Sequence, residues 1–221
     1  MEIQKHLYSV VQLLNLTDEN GNELLDLGCG TAFLSEFCKE YKYSGADMPH
    51  IIKECSIRNY PQYEYHPCDI VQDNLAWVEP YPIIVTNAVI DIMQYPLKIL
   101  AKILQHVSKY IIIHRQEITE HGQTHVTMNG SYGGFTYHSI INRKDFVDLL
   151  DKNNFDVIKE IHLDFGNWEN GGSSFLIRKR SSYSLDNIDL NLYKKYLVGR
   201  NIGFFVEAGA NDGIRLNITL F

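Results

Sequence analysis

The feature that most constrains this chain is an apolar run that ends in two glycines. Glu23-Leu24-Leu25-Asp26-Leu27 leads into Gly28-Cys29-Gly30, after which Phe33, Leu34, Phe37 and Tyr41 recur at helical spacing. Strand, glycine turn, helix is the opening unit of an open α/β sheet. Glycine takes backbone conformations that other residues avoid, and it lets a ligand come close to the main chain. The alternation continues downstream. Residues 43–47 read as a second strand, and Pro49 falls in the first turn of a helix reaching Ile57. Residues 63–68 and the nearly all-apolar 83–86 read as third and fourth strands, the fourth buried on both faces. Pro96 opens a helix with Leu97, Leu100, Leu104 and Val107 on one face, and residues 110–113 form a fifth strand. Strands alternating with helices imply a parallel sheet covered on both sides, a doubly wound α/β fold. Upstream, Ile3, Leu7, Val10, Val11 and Leu14 predict an amphipathic helix.

The rest of the chain departs from this rhythm. Residues 115–141 are polar and rich in glycine and aromatics, with no helical period. Within them, Tyr132 to Tyr137 with Gly133-Gly134 reads either as a mobile aromatic flap or as an ordinary hairpin. Asn142 is placed to cap a helix carrying Phe146, Leu149 and Leu150. Residues 156–163 and 174–180 flank Gly171-Gly172 as an antiparallel pair at one sheet edge. The expected sheet thus has about seven strands, mostly parallel. Residues 181–200 read as a linker.

Composition closes off several function classes. The 221 residues carry a net charge of −7, and no basic cluster exceeds Arg178-Lys179-Arg180, so nucleic acid is not an expected partner. No apolar run is long enough to cross a bilayer, and the amphipathic start lacks a cleavage site, so the chain is expected in the cytoplasm, off membranes. Cys29, Cys38, Cys55 and Cys68 form no C-x-x-C pair and are expected as free thiols there. His121 and His125 have the spacing of paired metal ligands on a helix, but Gly122 and β-prone neighbours oppose a helix, and no metal is expected.

The ligand follows from what surrounds the glycines. In open α/β sheets ligands bind beyond the carboxyl ends of the strands. Asp47 stands about 20 residues past the glycines, where a carboxylate accepts hydrogen bonds from both hydroxyls of a ribose. A dinucleotide would need a third glycine at position 33, and Phe33 stands there instead. Asp26, ahead of the glycines, suits a cationic amino group. S-adenosylmethionine (SAM) combines amino acid, sulfonium and ribose without a phosphate.

On these residues the chain resembles the class I SAM-dependent methyltransferases, from about Leu24 to Arg180. The D-x-G-x-G signature of that family corresponds to Asp26, Gly28 and Gly30, with Cys29 inside the loop, and its ribose acid to Asp47. Ala32 keeps a small residue where the family often has glycine. The resemblance implies a Rossmann-like fold, with Met48, Asp69 and Ile70 flanking the adenine. It also implies that Asn87 and its neighbours form the wall beside the transferred methyl. For the acceptor, the segments after the fourth and fifth strands offer Asp91 and His114 as proton-handling groups, and Arg115, Tyr132, Tyr137 and His138 as binding groups. His114, at the end of the fifth strand, is the expected base. Asp91 is alternatively an acid in the first turn of a helix.

Residues 204–213, FFVEAGANDG, repeat the opening pattern and resemble the start of an FkbM-family methyltransferase domain, a family known for O-methylation that includes sugars and glycans. The expectation is a truncated second domain at 201–221, or else a strand that docks on the first. The reading that results is a SAM-dependent methyltransferase acting on a sugar, glycan or related small molecule. An NAD-dependent sugar-modifying enzyme and a non-catalytic SAM-binding domain stand as alternatives.

Overall fold

A computed structural model of the chain describes residues 6–131, 134–164 and 171–180. The chain divides into two units, Met1–Lys179 and Arg180–Phe221. The first is described below. The expected linker and FkbM-like segment lie outside the described residues, as do Ile3 and Tyr132.

Helix α1 (Leu7–Leu14) precedes strand β1 (Glu23–Leu27). Strand β2 (Lys42–Asp47) follows, then a helical segment: α2 (Pro49–Ile51), a π turn (Ile52–Ser56) and α3 (Ile57–Asn59). Next come β3 (Glu64–Pro67), β4 (Ile83–Asn87), α4 (Pro96–Leu104) and β5 (Tyr110–Thr119). β6 (His125–Ser131), β7 (Gly134–Asn142), α5 (Arg143–Lys152), β8 (Phe155–Leu163) and β9 (Gly172–Lys179) complete the unit. Strands β3-β2-β1-β4-β5 are parallel neighbours. β9 runs antiparallel to β5, and β8 antiparallel to β9. These seven strands are the expected sheet with its antiparallel edge pair.

Strand alternation divides the core in two. Leu25, Leu27, Ile84, Ile111 and Ile113 pack on one side with Leu100, Ile103, Phe146 and Leu150 of α4 and α5. Leu24, Ile83, Val85, Tyr110 and Ile112 pack on the other with Leu7, Val10, Leu13 and Leu14 of α1. Each fully buried aliphatic or aromatic side chain contributes roughly 1.5–3 kcal/mol. Two polar residues, Asp26 and His114, fall by the same alternation on the α1 side. Asn142 caps α5 as expected, its side chain accepting from the amides of Lys144 (2.9 Å) and Asp145 (3.3 Å).

Two expectations are corrected. The helix after the glycines is only a 3-10 turn, Phe33–Phe37. Ala32 enters it in a left-handed conformation (φ 60°), and Cys38 leaves helical space (φ −115°). The fifth strand also runs six residues further than its apolar run. At Arg115 (φ 67°) it bulges, and the register to β9 slips between Ile113 and Gln116. Past the bulge, Glu117, Ile118 and Thr119 pair in parallel with Ile140, Ile141 and Asn142 of β7, which pairs antiparallel with β6. The segment read as flap or hairpin is therefore a hairpin, inserted at the carboxyl end of β5.

Candidate active site

The carboxyl ends of β1, β2, β4 and β5 meet at one rim, where the backbone is unusually strained. Ala32, Ala88 and Arg115 are three of the four non-glycine residues with positive φ among the described residues. Such conformations cost about 1–2 kcal/mol each and concentrate at functional sites.

The glycine loop is held by main-chain bonds. The amides of Gly28 and Cys29 both donate to the Ala46 carbonyl (2.7 and 3.0 Å), which ties the end of β1 to β2. Gly28 has φ 88°, and a Cβ there would lie 2.3 Å from Cγ2 of Val89, so the loop rests directly on the segment after β4. Gly30 also has positive φ (53°), but a Cβ there would meet nothing within 4 Å. One glycine serves packing and the other leaves an open place on the main chain. The Gly30 amide donates to Oδ2 of Asp47 (2.7 Å), and its carbonyl accepts from the Ser56 hydroxyl (2.7 Å). The Cys29 thiol sits 3.7 Å from the same hydroxyl, and burial pushes its pKa far up, so it stays protonated.

Two carboxyl groups of the rim are buried. Asp26 is 1% exposed; Oδ2 accepts from the Tyr43 hydroxyl (2.7 Å), while Oδ1 has no hydrogen-bond partner among the described residues. Burial raises its pKa to about 7, opposed by the Tyr43 bond and reinforced by the charge of Asp47. Asp91 lies in the 3-10 turn Ile90–Ile92, 5% exposed, with Oδ1 likewise unpartnered among the described residues. Burial lifts it to about 7 against the pull of Arg115 and the backbone amides of its own turn. It stands in the first turn of that 3-10 segment. Asn87, at the end of β4, has a buried Oδ1 without a described partner. Buried polar atoms of this kind cost about 1–3 kcal/mol each until a ligand meets them.

Other expected residues divide by location. Met48 is 37% exposed beside Asp47, whose Oδ1 accepts from the Met48 amide (2.7 Å). Asp69 caps a turn, with Oδ1 accepting from the amides of Val71 (2.9 Å) and Gln72 (3.3 Å). Ile70 is buried next to it, and its carbonyl accepts from Nζ of Lys102 (2.8 Å). In β7, Tyr137 is half-buried and His138 pairs with the buried Glu117 of β5 at 3.2 Å. Arg115 sits electrically between Asp91, His6 and His114.

His114 departs from expectation. It is 1% exposed and faces α1, not an open crevice. Nδ1 meets the hydroxyls of Ser174 (2.6 Å) and Ser9 (3.3 Å), and Nε2 lies 2.8 Å from Nδ1 of His6. Burial holds its pKa well below the usual histidine range, with His6 and Arg115 adding to the effect. His6, Ser9 and Ser174 were not legible as site residues. The one signal was Ser9, a polar residue on the otherwise apolar face of α1.

With this geometry in view, comparison decides the family. A family model described as a methyltransferase domain matches residues 2–160. The chain belongs to the methyltransferase domain family. No curated protein matches it by sequence. Among solved structures it is similar to the magnesium protoporphyrin IX methyltransferase of Synechocystis PCC 6803, solved with bound S-adenosylhomocysteine. The identity is 15% and the TM-score 0.60, covering 81% of this chain and 84% of that one. It is also similar to a Burkholderia thailandensis 1,6-didemethyltoxoflavin-N1-methyltransferase (12%, TM-score 0.61, 80% of each chain). A third is an amino pentose methyltransferase of Micromonospora echinaspora (12%, TM-score 0.55, 79% and 90%). These similarities establish the class I methyltransferase fold.

The residues present fit SAM. Asp26 offers an orphaned carboxyl oxygen to an ammonium, Gly30 leaves its main chain open, and Asp47 lies at the end of β2. The short 3-10 turn after the loop lacks the long aligned helix on which a pyrophosphate would rest.

Proposed function

We propose that this chain binds SAM and methylates a hydroxyl of a sugar, glycan or related small molecule. The unpartnered Oδ1 of the fully buried Asp26, one residue short of the glycine turn, is the observation that carries the SAM reading. Asp26 holds the amino group, Gly28–Gly30 line the loop, Asp47 takes the ribose, and Met48, Asp69 and Ile70 border the adenine. When bound, SAM supplies an electrophilic methyl on sulfur. The chain's task is then to orient the acceptor in line with that methyl, and alignment alone can be worth ~7–11 kcal/mol. Asn87, Asp91 and Arg115 rim the acceptor side with hydrogen-bonding groups, and Tyr137 and His138 border it from the hairpin. This polar rim supports a hydroxylated acceptor, and the FkbM-like string at 201–221 supports a sugar by analogy.

Calorimetry is expected to show SAM binding, with NAD much weaker. A screen of sugars, nucleotide sugars and glycans with methyl-labelled SAM then identifies the acceptor. Tight NAD binding without SAM binding would overturn the proposal. Transfer to an amine would leave the methyltransferase standing and remove the glycan.

A further inference from the structure

The buried contacts around His114 fix the direction of their own protons. The Ser9 hydroxyl donates to the His6 carbonyl (2.6 Å), which uses its one proton. Toward Ser174 (3.2 Å) and Nδ1 of His114 (3.3 Å), Ser9 is then only an acceptor. The Ser174 hydroxyl therefore donates to Ser9, and Ser174 in turn accepts from Nδ1–H of His114 at 2.6 Å. With its proton on Nδ1, His114 has its lone pair on Nε2 and accepts from Nδ1–H of His6 at 2.8 Å. The opposite assignment would leave the two serine oxygens 3.2 Å apart with no proton between them. The chain thus reads His6 Nδ1–H to His114, His114 Nδ1–H to Ser174, Ser174 to Ser9, and Ser9 back to the His6 carbonyl. The two imidazole planes lie within 18° of each other, with centroids 5.1 Å apart.

The consequence falls on His6. Its proton is pinned on Nδ1, so Nε2 is its basic nitrogen. His114, 1% exposed, stands behind it as the second group stands behind the base in a catalytic triad. His6 is only half-buried, at the start of α1, beside the strand end that carries Arg115. We propose that His6 is the general base of the methyl transfer and that His114, backed by Ser174 and Ser9, is the positioning residue that sets its tautomer. This rests on the proposed hydroxyl acceptor. The acceptor O–H gives its proton to Nε2 of His6 while its oxygen forms a bond to the methyl carbon. The carbon–sulfur bond breaks with its electron pair going to sulfur, leaving a neutral thioether, and His6 later returns the proton to water. Among the described residues, His114 and Arg115 of β5 stand about His6. Burial, and after it the positive charge of Arg115, keep His6 neutral, and so able to accept, down to below the usual histidine range.

The first test needs no acceptor. Nitrogen-detected NMR of the 221-residue chain at about pH 7.5 is expected to show both His6 and His114 as Nδ1–H tautomers, the minor form of histidine in water. An Nε2–H tautomer at His6 overturns the assignment whether or not the protein methylates anything. With an acceptor in hand, His6→Ala is expected to cut turnover by ~10²–10⁴-fold while SAM affinity stays unchanged. His114→Gln, whose amide oxygen can accept from His6, is expected to keep far more turnover than His114→Leu and to retain the wild-type acid limb of the rate. Wild-type turnover in His6→Ala, or equal losses in the two His114 variants, overturns the proposal. Failure of SAM to bind the wild-type protein sinks the proposed function alone, since the tautomers stand apart from it.

Discussion

The two halves of the rim are built by different means. On the β1–β2 side, position is set by the main chain: Gly28 and Cys29 amides on Ala46, the Gly30 amide on Asp47. These bonds join residues within about twenty positions of one another. On the β4–β5 side, position is set by side chains brought from the ends of the unit. His6 meets His114 across 108 positions, and His114 meets Ser174 across 60. A backbone-built site tolerates little change at its glycines and needs no particular neighbours elsewhere. A side-chain-built site can be rewired residue by residue.

The sharpest break is predicted at the glycines. Gly28→Ala puts a Cβ 2.3 Å from Val89, at a φ of 88°. Overpacking and backbone strain together are expected to cost ~3–5 kcal/mol in denaturant unfolding. Gly30→Ala, with open space and strain alone, is expected to cost only ~1–2 kcal/mol. In Gly28→Ala/Val89→Ala the clash portion is expected to be relieved. If both single glycine variants cost the same, the loop does not rest on Val89.

Asp26→Asn separates stability from binding. Asp26 has a folded-state pKa of about 7, above its ordinary value of 3.8, so the folded protein resists its ionisation. Its contribution is fully present at acid pH and is lost as pH rises toward 7. Asparagine keeps an acceptor for Tyr43 and cannot ionise. The variant's stability advantage is therefore expected to grow from nothing near pH 4 to ~4 kcal/mol at pH 8. Its SAM affinity is expected to fall by ~1.5–3 kcal/mol. In the wild type near pH 7, SAM binding is expected to release a proton, read by calorimetry in buffers of different ionisation enthalpy. A pH-independent difference between variant and wild type would show that Asp26 is ionised throughout.

Asp47→Ala is expected to weaken SAM by ~1.5–3 kcal/mol, the worth of a charged hydrogen bond. Unchanged affinity in the folded variant removes the ribose assignment. The smallest effect belongs to Asp69→Ala, which deletes a turn cap and is expected to cost ~1 kcal/mol of stability. An unfolding midpoint unmoved by that change would mean the cap carries no weight.

The same contrast explains what the sequence disclosed. The sheet order and the glycine loop were legible because β1, β4 and the first half of β5 are short apolar runs and because Asp26, Gly28, Gly30 and Asp47 lie close along the chain. The 3-10 turn escaped because Phe33, Phe37 and Tyr41 imitate helical spacing, whereas the segment enters through the left-handed Ala32 and ends at Cys38, residues with no sequence mark of those conformations. The second half of β5 escaped because Arg-Gln-Glu-Ile-Thr has no two-residue apolar period. His114 was legible as a residue of interest but not as a buried one. Its burial depends on His6, Ser9 and Ser174, and no local pattern ties those three positions to it.

The bend at Arg115 divides β5 between two loyalties. Its first half is locked between β4 and β9, and the hairpin pairs with β5 only at Glu117–Thr119, with Ser139 also donating to the Ile90 carbonyl. Lengthening, shortening or exchanging the hairpin would leave the ladder that aligns Asn87 with His114 untouched. The hairpin is thus a graft on a fixed frame. Under the proposed function, an exchanged hairpin would alter the acceptor side while the main-chain bonds of the glycine loop stay as they are.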